Sequence, residues 1–241
     1  MEKKRQDYIK EVFEKAGISL TDRQLWQFER YYELLIQKNE VMNLTAITEF
    51  PDVVQKHFLD SLMIRTLFEP AEGEYWLDLG TGAGFPGIPL KIVYPELRLV
   101  LLDSLNKRIK FLQEVIDELG LEHITAIHGR AEELAKKEEY REKFDCCVSR
   151  AVANLASLSE YCLPFVRVGG CFVPYKSEKV QEEIKGAEKA VRILGGKIEE
   201  QKEFMLPDSD IYRCLLCIRK DKETPGKYPR KAGTPTKEPI R

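Results

Sequence analysis

Between Glu74 and Gly195 the chain alternates between short apolar runs and longer stretches of helical spacing. The runs are YWLDLG, LRLVLLD, HITAIHG, KFDCCVSRA and GGCFVPYK. The stretches that follow them are Pro86 to Tyr94, SLNKRIKFLQEVIDELG, RAEELAKK, NLASLSEYCLPFV and SEKVQEEIKGAEKAVRILGG. A strand followed by a helix and another strand returns by a right-handed crossover, so repetition of the unit dictates a parallel sheet covered on both faces. Two further strand-like runs, KIEEQKEFML and DIYRCLLCIRK, are joined by the short link PDSD and predict an antiparallel hairpin. The expectation is an α/β fold with a doubly wound, mainly parallel sheet of seven strands, closed by a C-terminal hairpin.

No strand precedes Gly73. KKRQDYIKEVFEKAG sets Tyr8, Ile9, Val12 and Phe13 at helical spacing and stops at Gly17. The next helix, capped by Thr21 or Ser19, carries Leu25, Phe28, Tyr32, Leu35 and Ile36. A third opens with Pro51 in its first turn and carries Val54, Phe58, Leu62 and Leu67. Residues 1–72 therefore read as an N-terminal helical cap, 73–220 as the sheet domain and 221–241 as a tail. Pro225, Pro229, Pro235 and Pro239 argue against a helix in that tail. Its excess of lysine and arginine suits either a disordered end or a basic strap along a phosphate backbone.

Bulk composition excludes several classes. A net charge of −2 provides no global attraction for nucleic acid, so any basic surface must be local. No apolar run approaches the roughly 20 residues of a membrane span, and the charged N-terminus lacks a signal-peptide pattern. A cytoplasmic location, no membrane partner and a monomeric chain are expected. The six cysteines show no zinc spacing. Cys214 and Cys217 lie in a strand-like run, where positions i and i+3 point to opposite faces and cannot share a metal. Buried free thiols and no metal are the expectation.

The loop after the first strand, LDLGTGAGFPGIP, can be parsed in two ways. Gly82, Gly84 and Gly87 spell the dinucleotide fingerprint; Gly80, Gly82 and Gly84 spell a triplet shifted two residues earlier. Ligands of such sheets bind at the carboxyl ends of the strands, which is where this loop lies. A carboxylate at Asp78 repels a pyrophosphate but favours a cationic ligand. Pro86 and Pro89 remove N–H donors from the helix start where a phosphate would dock. S-adenosylmethionine, with its ammonium and sulfonium and no phosphate, fits the earlier triplet better, leaving Gly87 to helix packing. Asp103, ending the second strand, suits ribose hydroxyls but would do so in a nicotinamide enzyme too. After the third strand, Ala131 offers a small surface beside adenine. Glu132 is either an acceptor for the adenine amine or part of an acidic first helical turn. Arg150, at the carboxyl edge of the fourth strand, is a substrate contact or a structural ion pair.

Several segments together resemble a known family: NEVMNLTAI, KHFLDSL, LDLGTGAGFPGIPL, VSRAVANL, VPYK and above all YPRKAGTPTKEPI. Over nearly its whole length the chain resembles the bacterial small-ribosomal-subunit RNA 7-methylguanosine methyltransferases, also called glucose-inhibited division protein B. Ser177 departs from that pattern, where glycine is expected. The resemblance implies a Rossmann-like class I S-adenosylmethionine-dependent methyltransferase acting on N7 of one guanine in 16S rRNA, free or in a 30S subunit or its assembly intermediate. It carries cofactor contacts onto Gly80, Phe85, Asp103, Ser104, Leu105, Ala131, Glu132 and Arg150.

Guanine N7 has a lone pair and no proton, so methylation there needs positioning rather than a general base. Arg150, His57 and Asp60 are the candidate catalytic side chains. His57 and Asp60 share a helix face at i, i+3, and with Asn43, Thr45 and Ser61 they form either a guanine-side wall or a buried link between cap and sheet. Lys176, Lys227, Arg230, Lys231 and Lys237 are the candidate RNA-phosphate contacts. Two alternatives remain open: an NAD(P)-dependent oxidoreductase, and a methyltransferase acting on a small molecule or protein.

Overall fold

The computed structural model describes residues 2–150, 153–177 and 180–240. Ala151 and Val152 of the VSRAVANL motif, and Glu178 and Lys179 of the expected last long helix, lie outside these residues. The strands are β1 (Tyr75–Leu79), β2 (Arg98–Asp103), β3 (Ile124–His128), β4 (Phe144–Arg150), β5 (Val166–Lys176), β6 (Gly196–Met205) and β7 (Tyr212–Lys220). They form one sheet in the order β3-β2-β1-β4-β5-β7-β6, with β1 to β5 parallel and β7 antiparallel to both neighbours.

The hairpin expected from the sequence is present, but its second strand lies inside and its first at the edge. Polarity explains the exchange. β7 reads YRCLLCIRK and buries Cys214 to Ile218, whereas β6 reads GKIEEQKEFM and leaves most of its charges in solvent. An apolar strand is stabilised by cover on both faces, and a charged one protects an edge. Cys214 packs on one side of the sheet and Cys217 on the other, as their spacing requires. All six thiols are free and buried.

On one face lie α1 (Glu2–Lys15), α2 (Asp22–Met42), α5 (Gly87–Val93) and α6 (Asn106–Leu119). Thr21 caps α2 through a capping box with Gln24. The third N-terminal helix is broken into α3 (Phe50–Val53), a π-helical stretch (Val54–Leu59) and α4 (Asp60–Leu62). The opposite face carries α7 (Ala131–Leu134), α8 (Leu155–Cys162) and α9 (Val180–Ile193). Residues 1–72 do not enclose a core of their own. Phe28, Tyr31 and Phe58 belong to the same buried cluster as Trp76, Leu101 and Val148 of the sheet.

The tail departs most from expectation. It is laid against the α8 side of the sheet, with Thr224, Tyr228 and Pro235 buried. It also contains one helical turn, α10 (Thr234–Lys237). Proline is tolerated there because Pro235 stands in the first turn, where its missing N–H is not needed.

Gly87 serves packing, as its place in the loop suggested. A Cβ there would lie 2.3 Å from Leu101 Cδ2 and 2.8 Å from Asp78 Oδ2. Gly87→Ala should lower stability by about 1–3 kcal/mol through overpacking. Chemical denaturation measures this; an unchanged midpoint would mean that the helix shifts freely.

Candidate functional site

The loop between β1 and α5 has left-handed backbone at Gly80, Gly82 and Gly84, with φ of 72°, 62° and 105°. Such angles explain why glycine recurs there. Its N–H groups are largely taken within the protein. Gly80 and Thr81 donate to the Leu102 carbonyl, and Gly84 and Phe85 to the Thr81 carbonyl. Gly82 donates to Asp103 Oδ2 at 3.0 Å and Gly87 to Asp78 Oδ2 at 2.8 Å. A phosphate cradle needs free amides pointing at the ligand, and these are engaged elsewhere.

Asp78 does not face the ligand cavity, contrary to the sequence reading. It has no exposed surface and lies beneath the loop, where Oδ2 also accepts from Thr81 Oγ1 at 2.7 Å. Burial pushes its carboxyl up to about 7, against the pull of the Thr81 and Gly87 hydrogen bonds. Its contribution is to fix the loop, not to attract a cation across open space. Gly84 is likewise turned into the core, where a Cβ would meet Ile88 and the Tyr31 hydroxyl. That hydroxyl donates to the Ala83 carbonyl at 2.5 Å and ties the N-terminal helices to the loop.

A cavity of about 260 Å³ opens at the carboxyl ends of β1 to β3. Gly80, Asp103, Ser104, Ala131 and Glu132, which the sequence reading assigns to cofactor contact, are brought together in its lining. Leu105 does not: its side chain is exposed and its N–H donates to Asp103 Oδ1 at 2.9 Å. Asp103 also accepts from Arg108 Nη1 at 3.1 Å. Each carboxylate oxygen has two lone pairs; Oδ2 takes the Gly82 and Arg108 donors and Oδ1 the Leu105 N–H, so one acceptor position remains on Oδ1 for a hydroxyl group. Glu132 Oε1 is taken by the Gly233 N–H at 2.9 Å. Tyr161, Gly233 and Thr236 also line it; they lie far along the chain from the loop, and no local pattern marks them.

Arg150, His57 and Asp60 come together in a second cavity of about 510 Å³. The ring of Phe85 packs behind two of these side chains. His57 stacks on that ring at 4.5 Å between centroids, and the Arg150 guanidinium lies over it at 5.0 Å. Asp60, 2% exposed, accepts from Arg150 Nη1 and Arg213 Nε, each at 2.9 Å. Arg213 was not foreseen, because its partner is 153 positions away. Two guanidiniums on one carboxylate leave an excess positive charge.

His57 is held on both sides, by Thr45 Oγ1 at 2.8 Å from Nε2 and by Arg150 Nη2 at 3.4 Å from Nδ1. With Nδ1 accepting from arginine, the network assigns the proton to Nε2. Burial, then Arg150, drives its pKa down to about 3. Ser61 Oγ donates to the His57 carbonyl at 2.5 Å. Asn43 instead ends α2 in the left-handed conformation.

Two of the expected phosphate contacts are otherwise engaged. Arg230 forks onto Glu160, with Nε 3.0 Å from Oε1 and Nη2 2.7 Å from Oε2. Lys176 Nζ pairs with Glu183 at 2.7 Å and donates to the Ala153 carbonyl at 2.9 Å. A guanidinium that already forks onto a buried carboxylate is a poor phosphate ligand. Lys227, Lys231 and Lys237 are exposed on the tail.

Residues 24–212 match the family described as rRNA small subunit methyltransferase G. The ribosomal RNA small subunit methyltransferase G of Lachnoclostridium phytofermentans is 60% identical over 224 residues, 93% of each chain. Its counterpart in Alkaliphilus metalliredigens is 53% identical over 234 residues, 97% of this chain and 98% of that one. Among solved structures, M. jannaschii TYW2 in complex with AdoMet shares the fold at a TM-score of 0.51 and 16% identity, over 65% of this chain and 76% of that chain.

Two predictions follow from the buried polar groups. Asp78→Ala strips Thr81 and Gly87 of their acceptor and should destabilise the protein by about 1–3 kcal/mol; thermal melts test this, and an unaltered melt would show the loop holds itself. For His57 the unfolded chain titrates near 6.5 and the fold near 3. The unfolded state therefore takes up a proton the fold refuses, and stability falls as pH drops from 6.5 towards 3. The slope is at most about 1.4 kcal/mol per pH unit for one proton. Urea melts of His57→Gln across that window should show a flatter decline; a slope equal to wild type would assign the effect to other groups.

Proposed function

This chain belongs to the rRNA small subunit methyltransferase G family, and on that premise we propose that it methylates N7 of a guanine in 16S rRNA, using S-adenosylmethionine. The observation that carries the cofactor reading is the glycine loop whose amides are taken by Asp78, Asp103 and neighbouring carbonyls. A dinucleotide's pyrophosphate would compete with those bonds, while a phosphate-free nucleoside cofactor would not. The carboxylate of Asp103 and the small side chain of Ala131 fit the ribose and the flat face of adenine. Gly80, Gly82, Ser104 and Glu132 are the remaining residues assigned to hold it, with Leu105 acting through its backbone and Phe85 as the ring on which His57 and Arg150 pack.

S-adenosylmethionine, when bound, supplies an electrophilic methyl group on a sulfonium. The chain's own residues position the acceptor. N7 presents a lone pair without a proton, so no side chain has to remove one, and a histidine held neutral with both nitrogens engaged is consistent with that. Arg150 and Arg213 present donors to the second cavity, suited to guanine O6 or to a flanking phosphate. Asp60 fixes both guanidiniums and offsets one of their charges. N7 lies in the deep major groove of A-form RNA, so a loop or an incompletely folded rRNA region is the accessible target. Lys227, Lys231 and Lys237 remain candidate phosphate contacts.

Purified protein, methyl-labelled S-adenosylmethionine and 30S subunits or deproteinised 16S rRNA test this reading. Mass spectrometry of digested nucleosides is expected to find 7-methylguanosine at one site, and Arg150→Ala to reduce its formation at least roughly tenfold, the effect of one lost transition-state contact. Label on another nucleoside, or on protein, would falsify the assignment of the substrate.

A further inference from the structure

The tail is fastened to the sheet domain along its length. Arg141 donates to the Thr224 carbonyl at 2.6 Å and to the Tyr228 carbonyl at 3.0 Å. Arg230 then forks onto Glu160, a carboxylate with no exposed surface. Ser157 Oγ donates to the Pro235 carbonyl at 2.7 Å, and the Tyr161 and Thr236 hydroxyls are 2.8 Å apart. The Gly233 N–H reaches Glu132. Of these residues, Glu132, Tyr161, Gly233 and Thr236 line the cavity at the ends of β1 to β3.

Although Lys227, Lys231 and Lys237 stay exposed, the segment commits Arg230 to Glu160 and the Gly233 N–H to Glu132, and it lines one side of a cavity. Gly233 has φ of 79°, a conformation that side chains rarely adopt, and leaves the wall without a side chain at the point facing the cavity. The paired hydroxyls of Tyr161 and Thr236 offer both a donor and an acceptor at that wall.

We propose that the segment from Arg230 to Glu238 is a wall of the cofactor cavity. Gly233 and Thr236 would bind the nucleoside end of the ligand, and the Arg230–Glu160 pair would be the positioning clasp. The identity of the ligand rests on the cofactor reading above; the wall itself rests on the geometry of the tail. Cofactor binding and ordering of the tail are then linked, since a ligand that touches the closed wall favours the closed state.

Titration of the full-length chain with S-adenosylhomocysteine, without RNA, tests the wall. Gly233→Val should weaken binding by roughly tenfold or more, and Thr236→Val and Arg230→Ala by roughly threefold or more. Should Gly233→Val fold poorly, hydrogen exchange on the wild type gives an independent readout: S-adenosylhomocysteine should slow the amides of residues 230–238. Variants that bind S-adenosylhomocysteine like wild type, together with unprotected tail amides, overturn the wall. That result accompanied by lost binding to 16S rRNA would return the tail to an RNA-contacting role. A wild-type chain that binds no S-adenosylhomocysteine overturns both the wall and the cofactor reading.

Discussion

Asp78 is fully buried and accepts from Thr81 and Gly87, so the loop between those residues is tied beneath itself. Asp103 performs a related task from the next strand, taking the Gly82 N–H. Two carboxylates thus consume donors that a nucleotide-phosphate loop would keep for its ligand. The shape of the first cavity follows, because the loop cannot rise or turn without leaving buried donors unpaired. Tyr31 adds a third tie from the N-terminal helices, which is why residues 1–72 share the sheet's core.

A comparable constraint organises the second cavity. Asp60 stands between Arg150 of β4 and Arg213 of β7 and joins the α4 turn to the carboxyl end of the sheet. Removing the carboxylate would leave two nearby guanidiniums facing each other, so the three groups stand or fall together. Phe85 lies between this cluster and the glycine loop, touching His57 and Arg150 with its ring. One residue of the glycine loop therefore packs directly against the histidine and arginine of the second cavity.

Charge was the least legible property in the sequence. Arg230 reads as a free cation because Glu160 is 70 positions away, and Lys176 because it ends β5 while Glu183 stands on the next helix; folding brings each pair to 2.7 Å. Asp78 was located correctly, at the end of β1, but the direction of its side chain is set by the strand's alternation and the loop's turn. Glu132, read as either an adenine acceptor or a helix-start charge, stands in the first turn of α7 and gives one oxygen to the tail.

The sequence by itself determined the seven strands, the parallel order of crossings, the hairpin and the glycine positions, because each depends on local periodicity or on a backbone angle that one residue type tolerates. It also placed Gly80, Asp103, Ala131 and Arg150 at strand ends, where sheets of this class bind ligands. Only the tertiary structure decided that β7 enters the sheet ahead of β6, that Arg213 shares Asp60 with Arg150, and that the proline-rich tail closes a cavity. Those outcomes depend on burial and on partners separated by many residues, and neither quantity has a period that a linear pattern can reveal.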